Sequence, residues 1–235
     1  DALRAYPLGE QAFVRGTYDE ALSLYRRAGE LDPQFALAWV GQMRTRYAQS
    51  DNDEAVKLLR RAQALRQHLP PREALYLDAW AARFDAPAAG PAKWRELARL
   101  YPDYAQAQTN AALWLLVSNR FTDALSFAQH AMKLPDATMP VATDAAGRAL
   151  LGLEQYKQAA VVFDQAFDRG YRSSLRRRMG AEAAGGDFAA ASALEKQLRA
   201  DDRYSYFERI SLAVDTARWS DADRYARTAL DLVGK

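Results

Sequence analysis

Apolar positions recur along this chain at a spacing too long for one helix and too regular for loops. The recurring phrase is a turn, an aromatic residue and an alanine opening an amphipathic stretch. It reads Gly16-Thr17-Tyr18-Asp19-Glu20-Ala21, Asn119-Arg120-Phe121-Thr122-Asp123-Ala124 and Glu154-Gln155-Tyr156-Lys157-Gln158-Ala159. Gly186-Asp187-Phe188-Ala189-Ala190-Ala191 and Arg218-Trp219-Ser220-Asp221-Ala222 continue it, and Ser50-Asp51-Asn52-Asp53-Glu54-Ala55 keeps the alanine with Asn52 in the aromatic place. The alanines Ala21, Ala55, Ala124, Ala159, Ala191 and Ala222 stand 34, 69, 35, 32 and 31 residues apart. The 69 is two periods, so a degenerate unit is centred near Gly90 and the count is seven, the signature of a repeat architecture.

A second column follows seven positions on: Ala28, Ala62, Leu97, Ala131, Ala166, Leu198 and Ala229. Seven residues are close to two helical turns, so both columns share one helix face, and small residues there let a neighbouring backbone approach. Tyr25, Leu59, Trp94 and Phe163 lie between the columns as the large side chains that fill the space between helices. Asp32-Pro33, Leu69-Pro70-Pro71, Tyr101-Pro102 and Leu134-Pro135 close helices, because proline pushes the preceding residue out of helical geometry. Pro71, Pro91 and Pro140 open helices, where a missing N–H costs nothing. Thr17 with Glu20, and Asp51 with Glu54, have the spacing of capping boxes. Pro7 lies inside the first helical pattern, which predicts a helix starting near Tyr6 or bending there. No alternating run is long enough for a strand. The expectation is an all-α chain of fourteen helices, a right-handed α-solenoid, in units of approximately 2–35, 36–69, 70–104, 105–139, 140–171, 172–202 and 203–235.

Composition narrows function mainly by exclusion. The 32 basic and 30 acidic residues leave +2, too balanced to predict nucleic-acid binding or attachment to an anionic membrane. The longest uncharged run, Tyr104 to Asn119, is interrupted by Gln106, Gln108, Thr109 and Asn110, so direct membrane insertion is not expected. With no cysteine, and with His68 and His130 far apart, neither a metal site nor a thiol nucleophile is expected. Gly147 to Gly152 has the glycine spacing of a phosphate loop, but Leu153-Glu154 replace the Lys and Ser/Thr that would hold phosphate and metal. Catalytic residues, cofactors and metals are therefore all expected to be absent. The chain opens at Asp1 with no Met and no basic-then-apolar leader, which fits a processed protein or a domain cut from a longer one, and the excised domain is the favoured expectation.

Leu8-Gly9, Tyr18, Ala21, Tyr25, Ala28 and Pro33 resemble the tetratricopeptide repeat, as do Trp39, Ala55, Leu59 and Ala62, and Gly147, Tyr156, Ala159, Phe163 and Ala166. The stretches Ala2 to Glu10, Leu31 to Trp39 and Pro71 to Tyr76 further resemble repeat arrays appended to membrane-anchored bacterial signalling proteins with a kinase, nucleotide-cyclase or winged-helix module. That likeness implies a periplasmic location and a sensory or scaffolding role.

The resemblance also implies where a ligand sits, since such solenoids bind partners on the concave wall of first helices. By register with the alanine columns, the inward positions are Tyr6, Glu10 and Phe13, then Val40, Arg44 and Tyr47, then Thr109, Asn110 and Leu113. They continue with Asp144, Arg148 and Leu151, then Arg176 and Arg177, then Phe207 and Ser211; the third unit is too irregular to index. Tyrosine and arginine dominate interface hot spots, so a protein or peptide partner is expected. The two-carboxylate clamp of some chaperone-binding arrays needs lysine and asparagine where this chain has Tyr6 and Glu10, and is not implied. Trp219, Tyr225 and Leu230 on the last helix are candidate contacts for a homodimer, the alternative role, and the run ends at Gly234-Lys235 without an obvious capping helix.

Overall fold

A computed structural model describes residues 1–136 and 138–233, so the chain end at Gly234-Lys235 lies outside the described residues. Both alanine columns lie at helix contacts. Ala21, Ala55, Ala124, Ala159 and Ala191 are 0% exposed, and Ala222 is buried at the end of the stack. Gly90 takes the first-column place in the third unit and is buried too, with the Trp114 ring 3.6 Å from where a Cβ would stand.

The described residues form fourteen α-helices, and the alanines of both columns lie on the second helix of each pair. The first pairs are α1 (Ala2–Arg15) with α2 (Tyr18–Leu31), α3 (Ala36–Ala48) with α4 (Asn52–Ala64), and α5 (Pro71–Asp85) with α6 (Gly90–Leu100). Next come α7 (Ala105–Val117) with α8 (Phe121–Ala131) and α9 (Met139–Gly152) with α10 (Tyr156–Asp168). The last are α11 (Ser174–Ala184) with α12 (Phe188–Glu195) and α13 (Ser205–Asp215) with α14 (Trp219–Val233). Each odd helix packs on its even partner, and α1–α3, α7–α9, α9–α11 and α11–α13 also touch, whereas α5 meets α3 and α7 through long side chains, Trp80 on Tyr47 and Arg83 on Trp114. Among the described residues there is no strand, and the architecture is an α-solenoid.

Large side chains lock each pair to the next. Tyr25 and Phe163 are fully buried, and each ring fills the space a glycine leaves open. A Cβ on Gly9 or Gly41 would stand 2.7 or 2.6 Å from the Tyr25 ring, and one on Gly147 would stand 2.6 Å from Phe163. Tyr25 is thus gripped between α1 of its own unit and α3 of the next. Burying a side chain of this size contributes about 1.5–3 kcal/mol, so these knobs outweigh the alanines energetically while the alanines set the spacing.

The turn inside each unit has a common geometry. Five positions before the alanine column, Gly16, Ser50, Asn119, Glu154, Gly186 and Ala217 all have positive φ, between 54° and 85°. The next residue donates its N–H to the carbonyl five back, as Thr17 does to Ala12 and Gln155 to Leu150. This Schellman closure satisfies carbonyls that the helix end would otherwise leave unpaired. The third unit is the exception: α5 ends at Asp85 and a short 3-10 turn, Pro87–Ala89, leads into α6.

Two local expectations need correction. Of the two alternatives at Pro7, a helix start near Tyr6 is ruled out, since α1 starts at Ala2 and runs through Pro7. The carbonyl that Pro7 leaves without a donor belongs to Leu3, which is 76% exposed and open to water. Asp51 caps α4 by accepting from the Glu54 N–H at 3.3 Å, but the Thr17 hydroxyl makes no such bond and instead lies 3.1 Å from the Ala12 carbonyl and 2.8 Å from a Glu20 oxygen. Pro71 opens α5, and Pro91 and Pro140 lie in the first turns of α6 and α9.

Candidate functional site

The inner wall carries a ladder of contacts between equivalent positions of neighbouring repeats. Glu10 on α1 accepts from Arg44 on α3 at 3.0 Å and from the Tyr25 hydroxyl at 2.6 Å. The Arg83 Nε donates to the Tyr47 hydroxyl at 3.1 Å. Asp144 on α9 accepts from Arg177 on α11 at 2.8 Å and from the Ser174 hydroxyl at 2.6 Å, and Arg176 pairs with Glu208 on α13. Burial alone would pull the Arg44 and Arg177 guanidiniums down, but Glu10 and Asp144, with nearby tyrosines, hold them above the usual arginine range.

The arginines expected to offer charge to a ligand are therefore mostly spent within the fold. Arg44 is 6% exposed and Asp144 1%, so neither is free for a partner. Arg176 and Arg177 are half-buried behind their own carboxylates. Val40 is fully buried in the core with Met43 and Leu59 and does not belong to the groove surface. Tyr6 packs against Tyr25 and Phe35, with ring centroids 5.6 and 5.2 Å away, and burial pushes its phenol well up. Arg148 differs from the others. It has no ion pair among the described residues, and burial, together with neighbouring Arg177, draws its guanidinium down.

A cavity of ≈ 380 Å³ opens in the middle of this wall. Phe13, Arg44, Tyr47, Thr109, Asn110 and Leu113, all inward positions by register, line it together. Arg44 also stacks on Phe13, its guanidinium carbon 4.5 Å from the ring centroid. Asn110 donates its amide to the Gln106 carbonyl at 2.8 Å, which fixes the side chain at the cavity edge. The α1–α2 turn (Arg15, Gly16, Tyr18) bounds one end and the α10–α11 connection (Gly170 to Ser173) bounds the other, so the solenoid curls far enough to bring its first and fifth units to one opening.

Register missed several lining residues. Tyr76 and Trp80 belong to the third unit; Trp80 lies 36 positions after Arg44 because Arg66–His68 forms an extra 3-10 turn that lengthens the second unit. Trp80 joins an aromatic cluster with Tyr47 at 5.7 Å and Trp94 at 5.9 Å. Tyr18 and Tyr171 come from turns, where helical periodicity carries no signal. Phe207 and Ser211 are exposed further along the wall. A larger recess, ≈ 610 Å³, lies among Phe167, Arg172, Arg176, Leu198, Arg199 and Asp201, where Arg199 pairs with Asp201.

At the far end Trp219 is 64% exposed and Leu230 72%, joined by Phe207 at 67%. Tyr225 is turned inward instead, against Tyr206 at 6.0 Å and beneath Arg209 and Arg224. No helix is long and apolar enough to cross a membrane among the described residues.

Among solved structures, a tetratricopeptide repeat protein from Parabacteroides merdae superposes with a TM-score of 0.62 at 12% identity, over 98% of this chain and 93% of that one. The fold is the tetratricopeptide-repeat solenoid. The type IV pilus biogenesis factor PilW aligns at 0.57 with 20% identity, over 84% and 91% of the two chains. The Thermus thermophilus repeat protein TTC0263 aligns at 0.55 with 20% identity, over 77% and 98%. No protein-family model and no curated protein matches the sequence.

Proposed function

We propose that this chain is a non-catalytic protein-interaction module that holds an extended peptide or partner helix in the concave groove. One observation carries the reading: residues from units one to five and from the start of the sixth converge on a single aromatic-lined opening. A rigid wall of aromatic rings with amide groups at its edge suits a peptide, whose backbone needs polar partners and whose side chains need pockets. The ladder of ion pairs serves this role by fixing the angle between units, so the groove is formed before the ligand arrives. The wider setting we favour is a sensory or scaffolding part of a membrane-anchored bacterial signalling protein, with the solenoid on the periplasmic side.

The test is selection from a random peptide library, followed by substitution in the wall. Peptides recovered on the native protein should lose binding to a Tyr47→Ala, Asn110→Ala double variant whose helical circular dichroism is unchanged. Retained binding places the ligand elsewhere. A second reading, self-assembly through the last helix pair, is favoured by the exposed Phe207, Trp219 and Leu230. Sedimentation decides it: a dimer dispersed by Leu230→Asp supports assembly, and a monomer at all concentrations removes it.

A further inference from the structure

Inside the chain, each unit joins the next through recurring register positions, counted from the first alanine column. Fifteen positions before that column, Asp144 meets Arg177 and Arg176 meets Glu208, the latter members each standing fourteen before the alanine of the following unit. Eight before it, Tyr47 accepts from Arg83, which stands seven before Gly90. Three before it, the Phe121 ring covers Gly152, again seven before the next alanine. Four after it, Tyr25 covers Gly41, fourteen before the next, and eight after it Gly29 lies under Trp39, sixteen before the next.

The seventh unit carries the same positions uncovered. Phe207 stands where Asp144 and Arg176 stand, Val214 where Tyr47 stands, Trp219 where Phe121 stands and Leu230 where Gly29 stands, and all four are exposed. An exposed apolar edge by itself fits many partners. The receiving positions of α1 narrow the choice, for Pro7 corresponds to Arg177 and Glu208, Val14 to Arg83 and Gly152, and Ala5 to Trp39. Pro7 is exposed and Val14 half-buried.

Joined by the rules of the inner joints, the last unit of one copy and the first unit of another complement each other. The ion-pair position becomes Phe207 on Pro7, so both members have turned apolar together, and the Tyr47–Arg83 position becomes Val214 on Val14. Where small Gly29 receives large Trp39, large Leu230 faces small Ala5; where Tyr25 fills the space at Gly41, small Ala226 faces the larger Pro7. Volume is thus exchanged between the two sides of the joint, the kind of swap that packing tolerates best. The joint that holds Arg178 to Asp164 becomes Leu8 beside Arg227, so no like charges meet there.

We propose that the last unit of one copy docks on α1 of a second copy, which takes the place of an eighth first helix, so that copies add head to tail. This rests on the reading of self-assembly through the last helix pair, and it is independent of what the groove binds. The contact is heterologous, Phe207 of one copy on Pro7 of another, and a joint that repeats the solenoid's own step forms a screw that does not close. Assemblies therefore grow in a series instead of stopping at a two-fold dimer.

The test is sedimentation of the full chain over a wide range of concentration, where the weight-average mass should climb without a plateau at the dimer. Phe207→Arg and Pro7→Glu each put one unpaired charge into the joint, and each variant alone should stay monomeric. Both positions are exposed, so helical circular dichroism should be unchanged. Mixing the two variants recreates between copies the pair that Arg176 and Glu208 make within one, and growth should return. Mixed variants that stay monomeric overturn the proposal. A dimer that does not grow, is indifferent to Pro7→Glu and is dispersed by Phe207→Arg overturns it while leaving self-assembly through the last pair intact. A native protein that is monomeric at every concentration removes both.

Discussion

Glu10 and Arg44, 34 residues apart in sequence and one repeat apart in space, form a buried ion pair whose shortest contact is 3.0 Å. The Tyr25 hydroxyl completes the carboxylate's coordination, and Tyr25 is itself the knob between α1 and α3. Charge, hydrogen bond and packing thus meet at the joint between the first two units.

Removing one member leaves the other charged and buried, which costs about 3–5 kcal/mol, whereas removing both costs far less. Arg44→Met and Glu10→Gln should each destabilise strongly in urea, and the double variant should recover most of the loss. Additive effects would show that the two do not act as a pair. For the same reason Arg44 is a poor choice for testing ligand binding, and Tyr47, Asn110 and Arg148 are better ones.

Glycines under aromatic knobs should be intolerant of a methyl group. Gly41→Ala and Gly147→Ala place a Cβ 2.6 Å from a fully buried ring, an overpacking worth about 1–3 kcal/mol. Gly90→Ala, with its nearest ring atom at 3.6 Å, should leave the melting temperature unchanged or raise it. Equal effects at the three sites would contradict the knob geometry.

The turn positions predict gains. Glu154 and Ala217 hold φ of 60° and 56°, a conformation that costs side-chain-bearing residues about 1 kcal/mol and glycine almost nothing. Glu154→Gly and Ala217→Gly should therefore raise stability, while Gly186→Ala at the equivalent turn should lower it, as thermal denaturation would reveal.

Four phenols set the alkaline limit. Burial, the largest cause in each, raises Tyr6, Tyr25, Tyr76 and Tyr104 above the usual tyrosine range. The unfolded chain releases these protons near about pH 10 while the folded chain keeps them, so this part of the stability is complete below that pH and is lost above it. The loss approaches about 1.4 kcal/mol per pH unit for each tyrosine. Unfolding above about pH 10 should coincide with tyrosinate absorbance, and Tyr104→Phe should flatten the dependence.

The helix pairing was legible because close backbone approach demands small residues, and Ala21 through Ala222 carry that demand in sequence. Inward positions could be indexed from the same columns, and Phe13, Tyr47, Thr109, Asn110 and Leu113 do share one opening. Whether a charge is available was not legible, because it depends on what the next unit places opposite it; Arg44 and Arg177 are cancelled by Glu10 and Asp144. Val40 was misplaced because helical spacing puts it on the face of Arg44 but does not reveal that the next units cover that end of the face. Trp80 escaped because the extra turn at Arg66–His68 shifts its period.

Hydrogen–deuterium exchange with and without a library-selected peptide tests the central claim most directly. Occupation of the groove predicts slowed exchange in α3, α5, α7 and the Gly170 to Ser173 connection, with α4, α6 and α8 unchanged. Protection confined to the even-numbered helices, or to α13 and α14, would contradict it.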